Sequence, residues 1–195
     1  MKPNMKKLLI TAMLAIAAIT ASAQPKAMGI RFGASDFDAS YEHDINSRQF
    51  IECDLGLDHG YNLNGNPGIK AAFTYNFVWA RPAWTAKGAW GLYAGPGLAI
   101  GFVDDIVPYE TDNAIRGYYD NGWMAAVAVQ VGIEYVFDFP LILALDIRPY
   151  FGVHVNDGRL RDPVSGTRIN FGSKTGFYDN GMLGFIPSIA IRYRF

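Results

Sequence analysis

The chain has 195 residues and a formal net charge of −1 at pH 7, and half of its residues are hydrophobic. The length matches one domain. Beyond residue 23 no basic block occurs, which argues against nucleic acid as a partner. Cys53 is the only cysteine, so an internal disulfide is excluded.

The first 23 residues have the organisation of an export signal. Three lysines lie among the first seven residues, an uncharged apolar stretch follows at 8–20, and Ala21-Ser22-Ala23 ends the segment. The pattern predicts a cleaved secretory signal peptide at 1–23 and a mature domain at 24–195. A membrane anchor helix is the alternative, but the apolar run is shorter than the roughly 20 residues that span a bilayer.

Downstream of the signal, apolar residues alternate with polar or tiny ones in short segments. Successive side chains of a β-strand point to opposite faces, so each segment predicts a two-sided strand. The class is all-β, and an even number of such strands predicts one closed antiparallel transmembrane β-barrel. The eight predicted strands are 30–35, 37–45, 51–58, 69–79, 92–102, 124–137, 141–154 and 183–195.

Connection lengths predict how the barrel is oriented. Outer-membrane barrels have short periplasmic turns and longer external loops. The short connection at 138–140 is therefore expected at the periplasmic end, and the gaps at 104–121 and 155–180 are expected to be external loops. The connection at 80–89 is longer than a periplasmic turn should be.

Aromatic residues lie where the strands that run towards the periplasm end and the next strand starts. Amphipathic rings prefer the headgroup region, so this placement predicts an aromatic girdle at the periplasmic interface. Its members are Tyr75, Phe77, Trp79, Trp90, Tyr135, Phe137, Tyr193 and Phe195.

A soluble barrel of the lipocalin type is the alternative architecture. It would place the apolar face inside the barrel and the polar face outside. Here the polar face is rich in Gly and Ala, as a narrow interior requires, and the apolar face is bulky. The membrane barrel is therefore the preferred interpretation.

The polar face carries ionisable side chains, which are expected to point inward because a charged side chain facing lipid is costly. An eight-stranded barrel has an interior that side chains fill, so opposite charges there should pair and plug it. Asp146 and Arg148 are expected to pair with Glu134 and Arg192 on neighbouring strands. A narrow ion path remains the alternative. The predicted network comprises Lys70, Glu52, Asp54, Glu134, Asp146, Arg148, Arg192 and Arg194, with Arg31 and Glu42 on the same face.

The C-terminal part of the chain resembles a known group of proteins. Gly132-Ile133-Glu134-Tyr135, Leu145-Asp146-Ile147-Arg148-Pro149 and Ile191-Arg192-Tyr193-Arg194-Phe195 are similar to segments of small outer-membrane β-barrel proteins of the Bacteroidetes. The resemblance covers roughly residues 122–195. It implies an eight-stranded barrel of the OmpA and OmpX type in the outer membrane. The alternating residues Ile189, Ile191, Tyr193 and Phe195 resemble the signal that the barrel-assembly machinery reads.

Catalytic and metal-binding motifs are weak. His154 has Asp157 and Ser165 nearby in sequence, but the spacing specifies nothing, and we expect a solvated loop histidine. No catalytic residue, metal site or cofactor is predicted. The loop 158–174 carries a modest basic patch, which we expect to be solvated loop charge; the alternative is contact with lipopolysaccharide phosphates. Its members are Arg159, Arg161, Arg168 and Lys174.

The expected function is that of a plugged, non-enzymatic outer-membrane barrel, monomeric and in contact with membrane lipid and lipopolysaccharide. It would have a structural role or bind partners through its loops. A small pore is the first alternative, and a lipid A-modifying enzyme is the second.

Overall fold

The computed structural model describes residues 26–60, 67–111, 114–156, 159–161, 165–170, 173 and 175–195. The predicted signal peptide at 1–23 lies outside the described residues. In these ranges no helix is both long and apolar enough to cross a membrane.

The described residues form twelve β-strands and one short 3₁₀ helix. The 3₁₀ helix is Gly181–Phe185. The strands are β1 (Lys26–Phe32), β2 (Asp36–Asn46), β3 (Gln49–Asp58), β4 (Gly68–Ala80), β5 (Ala89–Thr111), β6 (Ala114–Val136), β7 (Leu141–Ile147), β8 (Tyr150–Asn156), β9 (Arg159–Arg161), β10 (Arg168–Asn170), β11 (Thr175–Asp179) and β12 (Ser188–Arg194).

The strands close into one antiparallel barrel. From β1 to β6 each strand pairs with the next, and β6 then pairs with both β7 and β8. β8 pairs with β11, β7 pairs with β12, and β12 pairs with β1. β7 and β8 are thus two halves of the seventh barrel strand, and β11 and β12 are two halves of the eighth. This confirms the predicted fold class and the predicted number of barrel strands.

The two ends of the barrel differ in their connections. At one end, which we call the short-turn end, lie the connections at 47–48, 81–88 and 137–140 together with Lys26 and Phe195. At the other, which we call the hairpin end, β5 and β6 remain paired from Val103 and Gly122 up to Thr111 and Ala114.

The prediction that residues 104–121 and 155–180 form loops is therefore wrong in part. The first continues the β5–β6 ladder, and the second contains β9, β10 and β11. Once two antiparallel strands are in register, their backbone groups bond to each other whatever the side-chain pattern, so charged residues do not end the ladder. The first strand also differs from prediction, because β1 begins at Lys26 and residues 33–35 form a turn.

The seventh and eighth barrel strands are interrupted, whereas the sequence predicted continuous strands over 141–154 and 183–195. Pro149 and Pro187 have no N–H to donate to a ladder. Asn180 bridges the gap: its Oδ1 accepts from the Tyr150 N–H at 2.8 Å, and its Nδ2 donates to the Arg148 carbonyl at 3.1 Å. Leu183 therefore belongs to the 3₁₀ helix and not to a strand.

Candidate functional site

The two faces of the barrel wall have opposite chemistry. Large apolar side chains such as Leu55, Val127 and Leu98, which is 62% exposed, point outward along the whole circumference. Soluble monomers rarely expose contiguous apolar surface of this extent. The inward face is mostly polar or built from small residues, with a few larger apolar side chains such as Phe50, Val103 and Met124. A lipocalin-type barrel requires the reverse arrangement.

Lys70 lies in the lumen towards the hairpin end. Its Nζ donates to Asp36 at 2.6 Å and to Asp58 at 2.8 Å, and it lies 4.9 Å from the centre of the Tyr150 ring. Alternation along β4 turns this side chain inward, where it is buried. The two carboxylates and the aromatic face together compensate for the loss of water around the ammonium group.

Arg31 connects three strands of the wall. It points inward from β1 and donates to Asp146 on β7 at 2.8 Å and to Asp38 on β2 at 3.4 Å. A third carboxylate, that of Asp36, lies 3.6 Å from its Nη1. β1 and β7 are separated by β12 in the wall, so the Arg31–Asp146 bond crosses behind a strand.

Two further arginines converge on Glu52 in the middle of the lumen. Arg148 donates to Glu52 and to Asp54, each at 2.5 Å. Arg192 lies 2.7 Å from the other Glu52 oxygen and donates to Glu42 at 2.9 Å. All five side chains are buried. Glu52 is therefore the centre of an ionic cluster that spans the lumen from β12 and the break between β7 and β8 to β2 and β3.

A layer of uncharged polar groups lies beside this cluster. Gln130 accepts from Thr74 at 2.6 Å and from Asn76 at 3.0 Å, and its own amide donates to Glu52 at 3.3 Å. All four side chains are buried. The polar contents of the lumen are thus connected by hydrogen bonds from β3 to β6.

The wall formed by β5 and β6 is lined with small residues, which make room for larger side chains on the adjacent strands. A Cβ at Gly132 would lie 2.5 Å from the Tyr93 ring and 2.7 Å from Asp146 Cβ. Alanines and larger side chains pack together in a buried cluster beside this wall. The cluster consists of Ala72, Ala99, Val103, Met124, Ala126, Ala128, Tyr150 and Tyr178.

Most of the charged residues selected from the sequence meet in the lumen. Two members lie at the short-turn end instead: Glu134 is 4.0 Å from the exposed Arg81, and Arg194 is half-buried. The members that lie deep in the lumen are Lys70, Glu52, Asp54, Asp146, Arg148 and Arg192.

The expected pairing of these residues was wrong. Asp146 bonds to Arg31, and Arg148 bonds to Glu52 and Asp54, instead of to Glu134 or Arg192. The expectation assumed that partners lie on neighbouring strands. In a narrow lumen, long side chains reach strands beyond their immediate neighbours.

The sequence interpretation missed Asp36, Asp38 and Asp58 as partners of the buried cations. The signal was present, because Asp36 and Asp38 continue the inward series of Ser40 and Glu42 along β2. The predicted strand began at Phe37, which left Asp36 outside it.

The eight residues of the predicted aromatic girdle all lie near the short-turn end. Tyr193 and Phe195 are exposed, and Trp79 is exposed at the end of β4. The ring centres of Tyr75 and Phe77 lie 4.9 Å apart. Ile189 and Ile191 of the suggested assembly signal point outward from β12. A role in assembly stays a prediction.

The structure corrects the expectation for His154. This residue points into the lumen from β8, is buried and lies 6.3 Å from the Tyr178 ring, so it is not a solvated loop residue. Asp157 lies outside the described residues. Within the part of the chain that the structure describes, no group of three His, Cys, Asp or Glu side chains is placed to hold a metal ion.

Comparisons with known proteins give a likeness in structure and none in sequence. No protein-family model matches the sequence, and no protein with a curated description matches it. The crystal structure of a major outer membrane protein from Thermus thermophilus aligns with a TM-score of 0.46 and 11% identity, covering 89% of this chain and 100% of that one. A likeness this low assigns neither family nor function.

Proposed function

We propose that the chain is an integral outer-membrane protein whose barrel is closed to solutes by the side chains in its lumen. The observation that carries this proposal is the combination of two faces: exposed apolar side chains all around the outside and a buried ionic network inside. Lipid is the solvent that suits an apolar outer face, and a narrow closed barrel suits a lumen filled by paired charges.

The hairpin end is the end that we assign to the cell exterior. The β5–β6 hairpin extends past the last residues of β4 and β8 that pair with it, Ile69 and Asn156. Longer external connections are typical of outer-membrane barrels. The protein would act through this hairpin and the neighbouring loops, or contribute to envelope structure.

The lipid partners follow from the same proposal. Membrane lipid would surround the apolar face, and the basic residues within 158–174 would meet lipopolysaccharide phosphates at the hairpin end. The barrel-assembly machinery would insert the chain by reading the outward residues of β12 and Phe195.

Refolding into phospholipid vesicles tests membrane insertion. We expect the chain spanning residues 24–195 to gain a heat-sensitive shift in gel mobility only with lipid or detergent, and an added protease to cut only outside the barrel wall. A chain that folds to the same form in water without either would contradict the proposal.

A narrow cation path is the second candidate, and one observation favours it. Within the described residues, the buried charged side chains comprise seven carboxylates and five cations. An excess of carboxylates along a pore favours cations. A conducting lumen would on this basis prefer cations over anions, which measurement of the reversal potential in a salt gradient detects.

A further inference from the structure

The connection at 81–88 is fastened to the barrel rim. Trp90 Nε1 donates to Thr85 Oγ1 at 3.1 Å, and the Tyr135 hydroxyl donates to the Lys87 carbonyl at 2.8 Å. Arg81 donates to the Ser47 carbonyl of the neighbouring turn at 2.8 Å. This connection is unusually long for the short-turn end, and these hydrogen bonds show that it is a folded element.

Gly88 fixes the shape of this turn. Its φ of +67° lies in the left-handed region that favours glycine, and a Cβ there would lie 2.4 Å from the Tyr135 hydroxyl. Its N–H donates to the Asp138 side chain at 2.8 Å. The turn thus closes tightly over Tyr135 and is tied to the next connection at the same end.

The turn carries one end of a continuous row of aromatic rings. Trp84 contacts Trp90 with ring centres 5.4 Å apart, and Trp90 contacts Tyr135 at 4.7 Å. The row continues from Tyr135 to Phe137 at 4.6 Å and to Phe139 at 4.8 Å. Trp84 is nevertheless 61% exposed. An exposed tryptophan at the end of an outward aromatic row is suited to an interface between lipid and water.

We propose that the 81–88 turn is a membrane anchor that lies in the phospholipid headgroup layer of the periplasmic leaflet. The Trp84 ring lies where this layer meets the acyl chains. The turn is continuous with the outward apolar face through Trp90 and Tyr135. The exposed Arg81 and Lys87 add positive charge that suits lipid phosphates. The inference rests on the proposed function, because it requires the barrel to lie in a bilayer.

Depth-dependent fluorescence quenching tests the anchor. In one variant Trp84 is the sole tryptophan, with Trp79, Trp90 and Trp123 replaced by Phe. In the matched control the sole tryptophan is Trp123, which is exposed on the outward face of β6. Both are refolded into vesicles of phospholipid brominated either near the carbonyl end or near the methyl end of the acyl chain, and acrylamide is the aqueous quencher.

We expect Trp84 to lose most of its emission with bromine near the carbonyl end, and little with acrylamide. Strong quenching of Trp84 by acrylamide alone, with Trp123 quenched by bromolipid, would overturn the anchor and leave the membrane barrel intact. If bromolipid quenches neither tryptophan, the membrane barrel itself fails.

A second variant guards against loss of the Trp90–Thr85 hydrogen bond in the sole-tryptophan chain. Trp84→Phe in the otherwise native protein should leave the fraction of emission that acrylamide quenches unchanged, because Trp84 is expected to be out of reach of the aqueous quencher. A clear fall in that fraction would show that Trp84 lies in water and would overturn the anchor.

Discussion

Arg31, Arg148 and Arg192 each bond to a carboxylate on a strand that is not a neighbour in the wall. Such bonds join strands that share no backbone hydrogen bonds, and each buried charge depends on its partner for compensation. Glu52 depends on two arginines at once. Loss of one partner at this centre should therefore cost far more than loss of a charge at the rim.

Arg148→Ala is expected to destabilise the barrel by roughly 3–5 kcal/mol, because it leaves Glu52 and Asp54 buried with one cation fewer between them. Urea unfolding in lipid vesicles, followed by tryptophan fluorescence, measures the change. The matched control is Arg48→Ala, whose exposed side chain lies in the 47–48 turn and should contribute about 0.5 kcal/mol or less. Equal losses for the two variants would show that the lumen network does not stabilise the fold.

Strands in this barrel are two-sided elements, and their alternation could be predicted from the sequence. Asp146 and Arg148 point inward and alternate with Leu145 and Ile147. They do so because successive side chains of an extended chain point to opposite faces. Interruptions were harder to predict. Pro149 and Pro187 are visible breakers, but the apolar alternation on both sides of each suggested continuous strands.

Ala128→Leu and Ala125→Leu make the same change on opposite faces of β6. Ala128 is buried and pairs in register with Tyr150, so the added methyl groups should overpack the lumen and cost roughly 1–3 kcal/mol. Ala125 points outward, and its variant should change the free energy of unfolding by about 0.5 kcal/mol or less. A larger loss at Ala125 would contradict the assignment of faces. The same unfolding measurement compares them.

Asn180 holds the interrupted seventh and eighth barrel strands together. Asn180→Ala removes partners from the Tyr150 N–H and the Arg148 carbonyl, so a loss of about 1–3 kcal/mol is expected. Asn180→Asp keeps the acceptor for the Tyr150 N–H but sets a carboxylate oxygen against the Arg148 carbonyl, so it should also lose stability while the Tyr150 hydrogen bond remains. Hydrogen exchange at the Tyr150 amide should accelerate in the alanine variant alone, and unchanged exchange there would show that the bridge is not needed.

For the whole molecule, the closed eight-stranded barrel could be predicted from alternation, but the contacts across the lumen could not. Which inward residues face each other depends on how far the strands are staggered around the barrel, and no local pattern reports that stagger. Arg148 and Glu52 are 96 residues apart in sequence and come from opposite sides of the wall. The composition of the lumen was therefore predictable, whereas the partner of each charge was not.

Single-channel recording in a planar bilayer tests most directly whether the lumen is closed. After folding is verified by gel mobility, we expect no stable current steps from the native chain. We expect steps from a variant in which Glu52, Asp54 and Arg148 are all replaced by Ala, because this empties the middle of the lumen. Reproducible steps from the native protein would contradict a closed barrel and establish the ion path in its place.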